Sequence, residues 1–269
     1  MTDEIARYQI ARWRALAAAD ALYTRVRLDQ TPETARQTLD PDGWFGDVEG
    51  KRVLCLASGG GQQSVSFALL GAEVTVFDLS AEQLERDRAA AAHYGVTVET
   101  VAGDMRDLSQ LAARHFDYVY HPYSLNFVPD AHVVFREVAR VLRVGGHYFL
   151  ACANPFVFGL SERDWTGAGY LLTRPYVDGA ELTNADPEYV YDRDRHAPIQ
   201  APREFRHSLS TLVRGLNACG FVLEDLSDYV SIYPDLQAAP GTWNHLVLIA
   251  PPWLAFWCRL SPDVFKSAR

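Results

Sequence analysis

From residue 52 to residue 152 the chain repeats one pattern five times: a short apolar run, a turn, then a stretch of helical length. Arg52-Val53-Leu54-Cys55-Leu56 closes on Ala57-Ser58-Gly59-Gly60-Gly61, and residues 73–77 close on Asp78. Residues 96–101 close on Gly103-Asp104-Met105, residues 116–120 close on His121, and residues 147–152 form the fifth run. Runs that are apolar throughout rather than alternating are strands buried on both faces. The stretches between them carry helix punctuation. Residues 62–70 are followed by Gly71, Ser80-Ala81-Glu82-Gln83 has capping-box spacing ahead of a helix to about Tyr94, and residues 130–142 put Val134, Val138 and Val141 on one face. A short helix is expected within 107–114, and Gly145-Gly146 is expected to make the turn into the fifth strand. Strands spaced by helices of this length are joined in parallel, so the reading is a doubly wound α/β fold.

Two regions break the rhythm. Residues 1–50 read as helical, with Thr31-Pro32-Glu33 a cap followed by proline. Residues 154–205 are irregular and rich in Trp, Tyr, Arg and Asp, too long for a plain connection and typical of a lid or binding loop. Afterwards the sheet pattern resumes: residues 208–219 predict a helix stopped by Gly220, 221–226 a strand, and 243–249 a last strand antiparallel to its neighbour. The expected division is therefore 1–50 as a helical lid, 51–153 as the α/β core, 154–205 as an inserted cap, and 206–269 completing a mostly parallel seven-stranded sheet.

At 269 residues and 48% hydrophobic, the chain has ample apolar surface for a core, and disorder is excluded. A net charge of −9 lacks the basic face a nucleic-acid binder needs. Cys55, Cys152, Cys219 and Cys258 are scattered without paired spacing, and the histidines show no ligand spacing, so neither a disulfide framework nor a metal is expected. The most membrane-like stretch, 246–258, is too short to span and is broken by Pro251-Pro252. These features point to a cytoplasmic protein, monomer or homodimer, without a membrane or nucleic-acid partner.

Open parallel sheets bind ligands beyond the carboxyl ends of their strands, so the residues there carry the functional reading. The Gly59-x-Gly61 turn offers backbone without side chains. Asp78, 17 residues past Gly61, is placed to accept both hydroxyls of a ribose, since Ser80 already caps the following helix. Asp104 can take an adenine amino group while the Met105 N–H donates to the ring, or it can merely cap the short helix expected at 107–114. Together the three strand ends suit a cofactor containing adenosine.

VLCLASGGGQQ, VTVFDLS, VAGDMRDL, FDYVYHPYSLNFVPD and VLRVGGHYFLA resemble, in order and spacing, the motifs of the Rossmann-like (class I) S-adenosylmethionine-dependent methyltransferases. The resemblance covers about residues 50–152 and continues more loosely through FRHSLSTLVRGLNACGF. It implies that Ala57, Gly59, Gly60, Gly61 and Gln63 lie along the methionine and ribose part of the cofactor. It also implies that Asp78 and Leu79 hold the ribose, that Asp104 and Met105 hold the adenine, and that His121 faces the methionine end. Two positions depart from the family pattern: Cys55 stands where an acidic residue is usual, and Ala57 where glycine is usual. The missing acid helps order the cofactor's amino group, and Gln62 or Gln63 is the nearest substitute.

Methyl transfer asks the protein to place a nucleophile, exclude water and take a proton where the nucleophile bears one. Proton acceptors in suitable positions are His121, Tyr123 and His207, each of which also has a plain structural reading. Tyr8, Tyr23, Asn126, Trp165, Tyr176 and His207 are candidates to wall the acceptor, although aromatics of this kind also pack a cap onto a sheet. The expected activity is methyl transfer from S-adenosylmethionine to a small molecule, releasing S-adenosylhomocysteine. The alternatives are an NAD-dependent oxidoreductase, an S-adenosylmethionine enzyme that cyclises the cofactor's own aminobutyrate arm, and a non-catalytic cofactor sensor.

Overall fold

A computed structural model describes residues 3–184, 186–187, 189–228 and 235–262. Two helices precede the sheet, α1 (Glu4–Ala18) and α2 (Pro32–Leu39), the latter opened by a reciprocal cap between Thr31 and Thr34. The core then alternates β1 (Arg52–Leu56), α3 (Gln63–Leu69), β2 (Glu73–Asp78), α4 (Ala81–Tyr94), β3 (Val98–Ala102), β4 (Phe116–His121), α5 (Ala131–Val141) and β5 (Leu142–Ala153). The cap contributes a two-stranded ribbon, β6 (Glu181–Thr183) with β7 (Arg203–Phe205). The chain closes through α6 (Leu209–Ala218), β8 (Phe221–Ser227), α7 (Trp243–Ile249) and β9 (Trp253–Leu260). The seven strands of the main sheet lie in the order β3-β2-β1-β4-β5-β9-β8. Only β9 runs against its neighbours.

Strand alternation divides the core between the two faces. Leu54, Leu56, Val119, Tyr148 and Leu150 meet α5 and α6 on one side. Val53, Cys55, Val74, Val76 and Trp257 meet Phe45, Phe67 and Leu84 on the other. All four cysteines are buried and unpaired, as apolar packing residues. Among the described residues no helix is long and apolar enough to cross a membrane.

Three local expectations are corrected. Residues 243–249 are a helix, because the Thr242 hydroxyl accepts from the His245 N–H at 3.4 Å and only one side of the run, Leu246 and Val247, is buried. Pro251-Pro252 stop that helix, and the antiparallel last strand is β9. Residues 107–114 form successive turns instead of a helix. The Asp107 N–H bonds Asp104 O at 2.8 Å, the Leu111 N–H bonds Leu108 O at 2.8 Å, and both leucines plug into the core. Gly145-Gly146 lie inside β5, which follows α5 directly, and they accompany a register shift against β4.

Candidate functional site

The turn after β1 is strained where side chains are present and relaxed where they are not. Ala57 takes φ +47°, in the left-handed region that glycine occupies without cost, while Gly60 and Gly61 take +122° and +71°. The glycines are required by the protein's own packing. A Cβ on Gly59 would stand 2.8 Å from Gln83 Cβ, and one on Gly61 would stand 2.7 Å from Ala90 Cβ and 2.9 Å from the Arg86 carbonyl. The loop is thus seated directly on α4. Its amides are held by two carboxylates. Gly59 N–H donates to Asp78 Oδ2 at 2.9 Å, while Gly60 and Gly61 donate to Asp87 Oδ2 and Oδ1 at 2.9 and 3.0 Å. Ser64 Oγ adds a 2.5 Å bond to Asp87 Oδ1.

Asp78 also accepts from the Ser80 N–H at 2.8 Å on its other oxygen, and the roughly four acceptor sites of a carboxylate leave room for a ligand hydroxyl beside these backbone donors. Burial pushes its carboxyl above the usual range despite bonds from Ser80, Gly59 and Leu79. Asp104 is gripped differently: Arg106 Nε lies 3.0 Å from both its oxygens, and the same guanidinium reaches Asp3 at 2.6 Å at the start of α1. An adenine amino group at Asp104 would therefore share it with Arg106. Met105 packs against the core, Gln63 opens α3, and Gln62 donates to Arg25 O at 2.8 Å.

At the end of β4, His121 is wholly buried. Its Nδ1 is 2.8 Å from the Tyr148 hydroxyl, and burial lowers its pKa to about 3. A histidine this weakly basic stays neutral and is a poor proton acceptor. His207 is also buried; its Nε2 is 3.2 Å from Leu125 O, and burial lowers its pKa too. Asn126 uses both ends of its amide internally, donating to Phe205 O at 3.0 Å and accepting from Ala153 N–H at 2.9 Å. Tyr123 is different. Its hydroxyl donates to Glu204 Oε1 at 2.8 Å, and Glu204, on β7, is only 8% exposed. Burial raises the Glu204 carboxyl, opposed by the Tyr123 hydroxyl and the charge of Arg12.

The N-terminal helix and the cap form a roof. Arg86 of α4 binds the Ala17 and Thr24 carbonyls, and Arg14 pairs with Glu82 at 2.7 Å, tying α1 to the core. Arg12 makes a bidentate pair with Asp186 at 2.7 and 2.9 Å, and Gln9 donates to Arg203 O at 2.9 Å, tying α1 to the cap. Tyr8 donates to Ala201 O at 2.7 Å as part of that seam. Tyr23, half exposed, has its phenol beside Tyr189, and burial raises its pKa to about 12. Its neighbour Thr24 overlies Gly60. Trp165 and Tyr176 belong to other clusters: Trp165 packs on Tyr170 and His245, and Tyr176 stacks on Phe156 and accepts from Leu209 N–H at 3.0 Å.

Asp87, Glu204, Arg12 and Arg106 are the polar residues that sequence reasoning missed. Asp87 left a signal, because Leu84, Asp87 and Ala90-Ala91 share one buried face of α4. Glu204 left none.

Three buried polar atoms border the strand ends without a hydrogen-bond partner among the described residues: Ser58 Oγ, His121 Nε2 and Gln83 Oε1. With the spare lone pairs of Asp78, these fit a polar ligand laid across β1, β2 and β4. Comparison with known proteins places the chain in a family. Residues 54–150 match the family model described as a methyltransferase domain. The chain is 37% identical over 186 residues to the uncharacterized methyltransferase YbaJ of Bacillus subtilis (strain 168), covering 68% of this chain and 70% of that protein. It is 36% identical over 127 residues to the ubiquinone biosynthesis O-methyltransferase of Xanthomonas oryzae pv. oryzae (strain PXO99A), spanning 46% of this chain and about half, 52%, of that relative. An S-adenosylmethionine-dependent methyltransferase from Mesorhizobium loti superposes with a TM-score of 0.59 at 23% identity, covering 87% of this chain and all of that one. The chain belongs to the class I S-adenosylmethionine-dependent methyltransferase family. It is accordingly a methyltransferase whose cofactor is S-adenosylmethionine.

Proposed function

We propose that this methyltransferase acts on a small molecule in the cytoplasm, and that the acceptor sits between the end of β4 and the roof formed by α1 and residues 154–205. The observation that carries the reading is that roof. Its helix α1 is fastened to the core on one side and to the cap on the other, so a nucleic-acid or protein chain would have to displace it. The net charge of −9 works in the same direction.

In this reading the backbone of Ala57–Gly61 and the side chain of Gln63 lie along the methionine end of the cofactor. Asp78 takes the ribose with Leu79 beside it, and Asp104 and Met105 take the adenine. S-adenosylmethionine supplies a methyl group already made electrophilic by its sulfonium. The chain excludes water and, where the nucleophile carries a proton, removes it. We assign that last role to the Tyr123–Glu204 pair in preference to His121 or His207. Glu204 is a buried carboxylate with a raised pKa, joined to a phenol, whereas both imidazoles are made weak bases by burial.

Thermal unfolding with S-adenosylhomocysteine, S-adenosylmethionine and NADH in parallel tests the cofactor. A ligand at about 100 times its Kd adds about 2.7 kcal/mol, roughly 5–10 °C for a chain of this size. A shift with the first two only supports the reading; a shift with NADH alone overturns it. Transfer of label from methyl-labelled S-adenosylmethionine to a panel of phenols and amines then tests the acceptor class. Methylthioadenosine appearing in place of S-adenosylhomocysteine would reveal the cyclising alternative.

A further inference from the structure

We infer that Asp87 is the positioning residue that shapes the cofactor loop, and that it does so from α4 in a chain whose β1 carries the neutral Cys55 in place of a carboxylate. The inference rests on the cofactor reading above. The loop's inner amides, Gly60 and Gly61, are buried, and a buried N–H without an acceptor is costly. Both donate to the two oxygens of one side chain, Asp87, at 2.9 and 3.0 Å. The carboxylate is itself fully enclosed and aimed by the 2.5 Å bond from Ser64 at the start of α3. A single group therefore joins the loop, α3 and α4. No water or mobile surface charge could fix the turn as rigidly, because a carboxylate that accepts two adjacent amides allows one orientation of both peptides.

Cys55 supplies the independent half of the argument. It lies on the face of β1 that meets Phe67 and Leu84, the same side of the sheet as α3 and α4. Its thiol is close enough to feel the charge of Asp87, which adds to burial in keeping it protonated. A second carboxylate at position 55 would meet that of Asp87 in a dry interior, where like charges repel strongly. The two acidic positions are thus alternatives. With Asp87 on Gly60 and Gly61 and Asp78 on Gly59, the neutral Cys55 adds no further carboxylate to this side of the sheet. Asp78 serves a different amide, Gly59, and does not substitute.

The experiment measures S-adenosylhomocysteine affinity by titration calorimetry for wild type, Asp87→Asn, Ser64→Ala, Cys55→Asp and Cys55→Asp/Asp87→Asn. The melting temperature without ligand is recorded for each. Asp87→Asn keeps the volume but turns an amide NH2 toward one of the loop N–H groups. It is expected to weaken binding roughly 10- to 100-fold, the usual effect of losing hydrogen bonds to a charged acceptor. Ser64→Ala is expected to weaken it less. Cys55→Asp alone is expected to be impaired, and the double variant to bind more tightly than either single variant. That reversal in affinity, read against the ligand-free melting temperatures, separates positioning of the loop from a change in stability alone. Wild-type affinity in Asp87→Asn overturns the inference. A double variant that binds no better than Asp87→Asn, or that fails to fold where Asp87→Asn folds, also overturns it. If wild type itself does not bind S-adenosylhomocysteine, the cofactor reading fails instead, and the two failures are told apart by that first titration.

Discussion

Gly61→Ala isolates the claim that the glycine turn is dictated by α4. The substitution adds one methyl at φ +71°, 2.7 Å from Ala90 Cβ and 2.9 Å from the Arg86 carbonyl. The second of these contacts is backbone and cannot swing away. Gly43 is a natural control: its φ is +77° and an added Cβ would meet nothing within 4 Å. Gly43→Ala therefore carries only the left-handed penalty, about 1–2 kcal/mol, partly offset by the reduced freedom of the unfolded chain. Gly61→Ala carries the same penalty plus overpacking, about 1–3 kcal/mol more. Urea unfolding should show both variants with an unchanged m-value, and Gly61→Ala less stable than Gly43→Ala by that margin. In thermal unfolding the gap is roughly 2–12 °C. Equal midpoints for the two variants would refute the packing argument and return the glycines to a ligand-only role.

Asp78→Ala should weaken S-adenosylhomocysteine binding by about 1.5–3 kcal/mol, measured by calorimetry, and an unchanged Kd would remove Asp78 from the ribose. Tyr123→Phe and Glu204→Gln should lower turnover by about 10²-fold or more with cofactor affinity intact; full activity with a proton-bearing acceptor would dismiss the pair. The protein's pH response carries a signature of Asp87, whose carboxyl is raised from 3.8 to about 6, chiefly by burial. A raised folded pKa means that the native state binds the proton more tightly, so this contribution is complete below pH 3.8 and is lost as pH rises through about 6. The stability of wild type relative to Asp87→Asn should accordingly fall by about 3 kcal/mol from roughly pH 3.5 to 7; a flat difference in denaturation midpoints across that window would contradict it.

What the sequence made legible was set by short-range regularity. The runs 52–56, 73–77 and 116–120 are short, rich in β-branched and other apolar residues, and each is punctuated by a residue a strand end tolerates, so the parallel core could be laid out from the residues alone. The stretch 243–260 could not be resolved, because WNHLVLI and WLAFWCRL are both largely apolar and length alone does not separate a seven-residue helix from a strand. Residues 107–114 lost their helix to two leucines whose core contacts are worth more than a lone turn of backbone bonding. In the site, strand-end residues were found because topology gathers them. His121 was placed correctly along the chain, but the direction of its side chain depends on which face of β4 it occupies. That face is the one shared with Tyr148. Glu204 was invisible, since only the folding of the cap carries it to Tyr123, 81 residues away.

One carboxylate has two claimants. Asp104 holds Arg106, and Arg106 in turn holds Asp3 at the mouth of α1, so the strand end and the roof share a single chain of charge. An adenine held at Asp104, as proposed above, would meet a carboxylate whose charge is already shared with Arg106. The two ties of α1 differ in kind: the Arg106–Asp3 pair is partly exposed and open to screening by salt, whereas the Arg12–Asp186 pair is enclosed. Rising ionic strength therefore loosens the outer edge of the roof before the inner one.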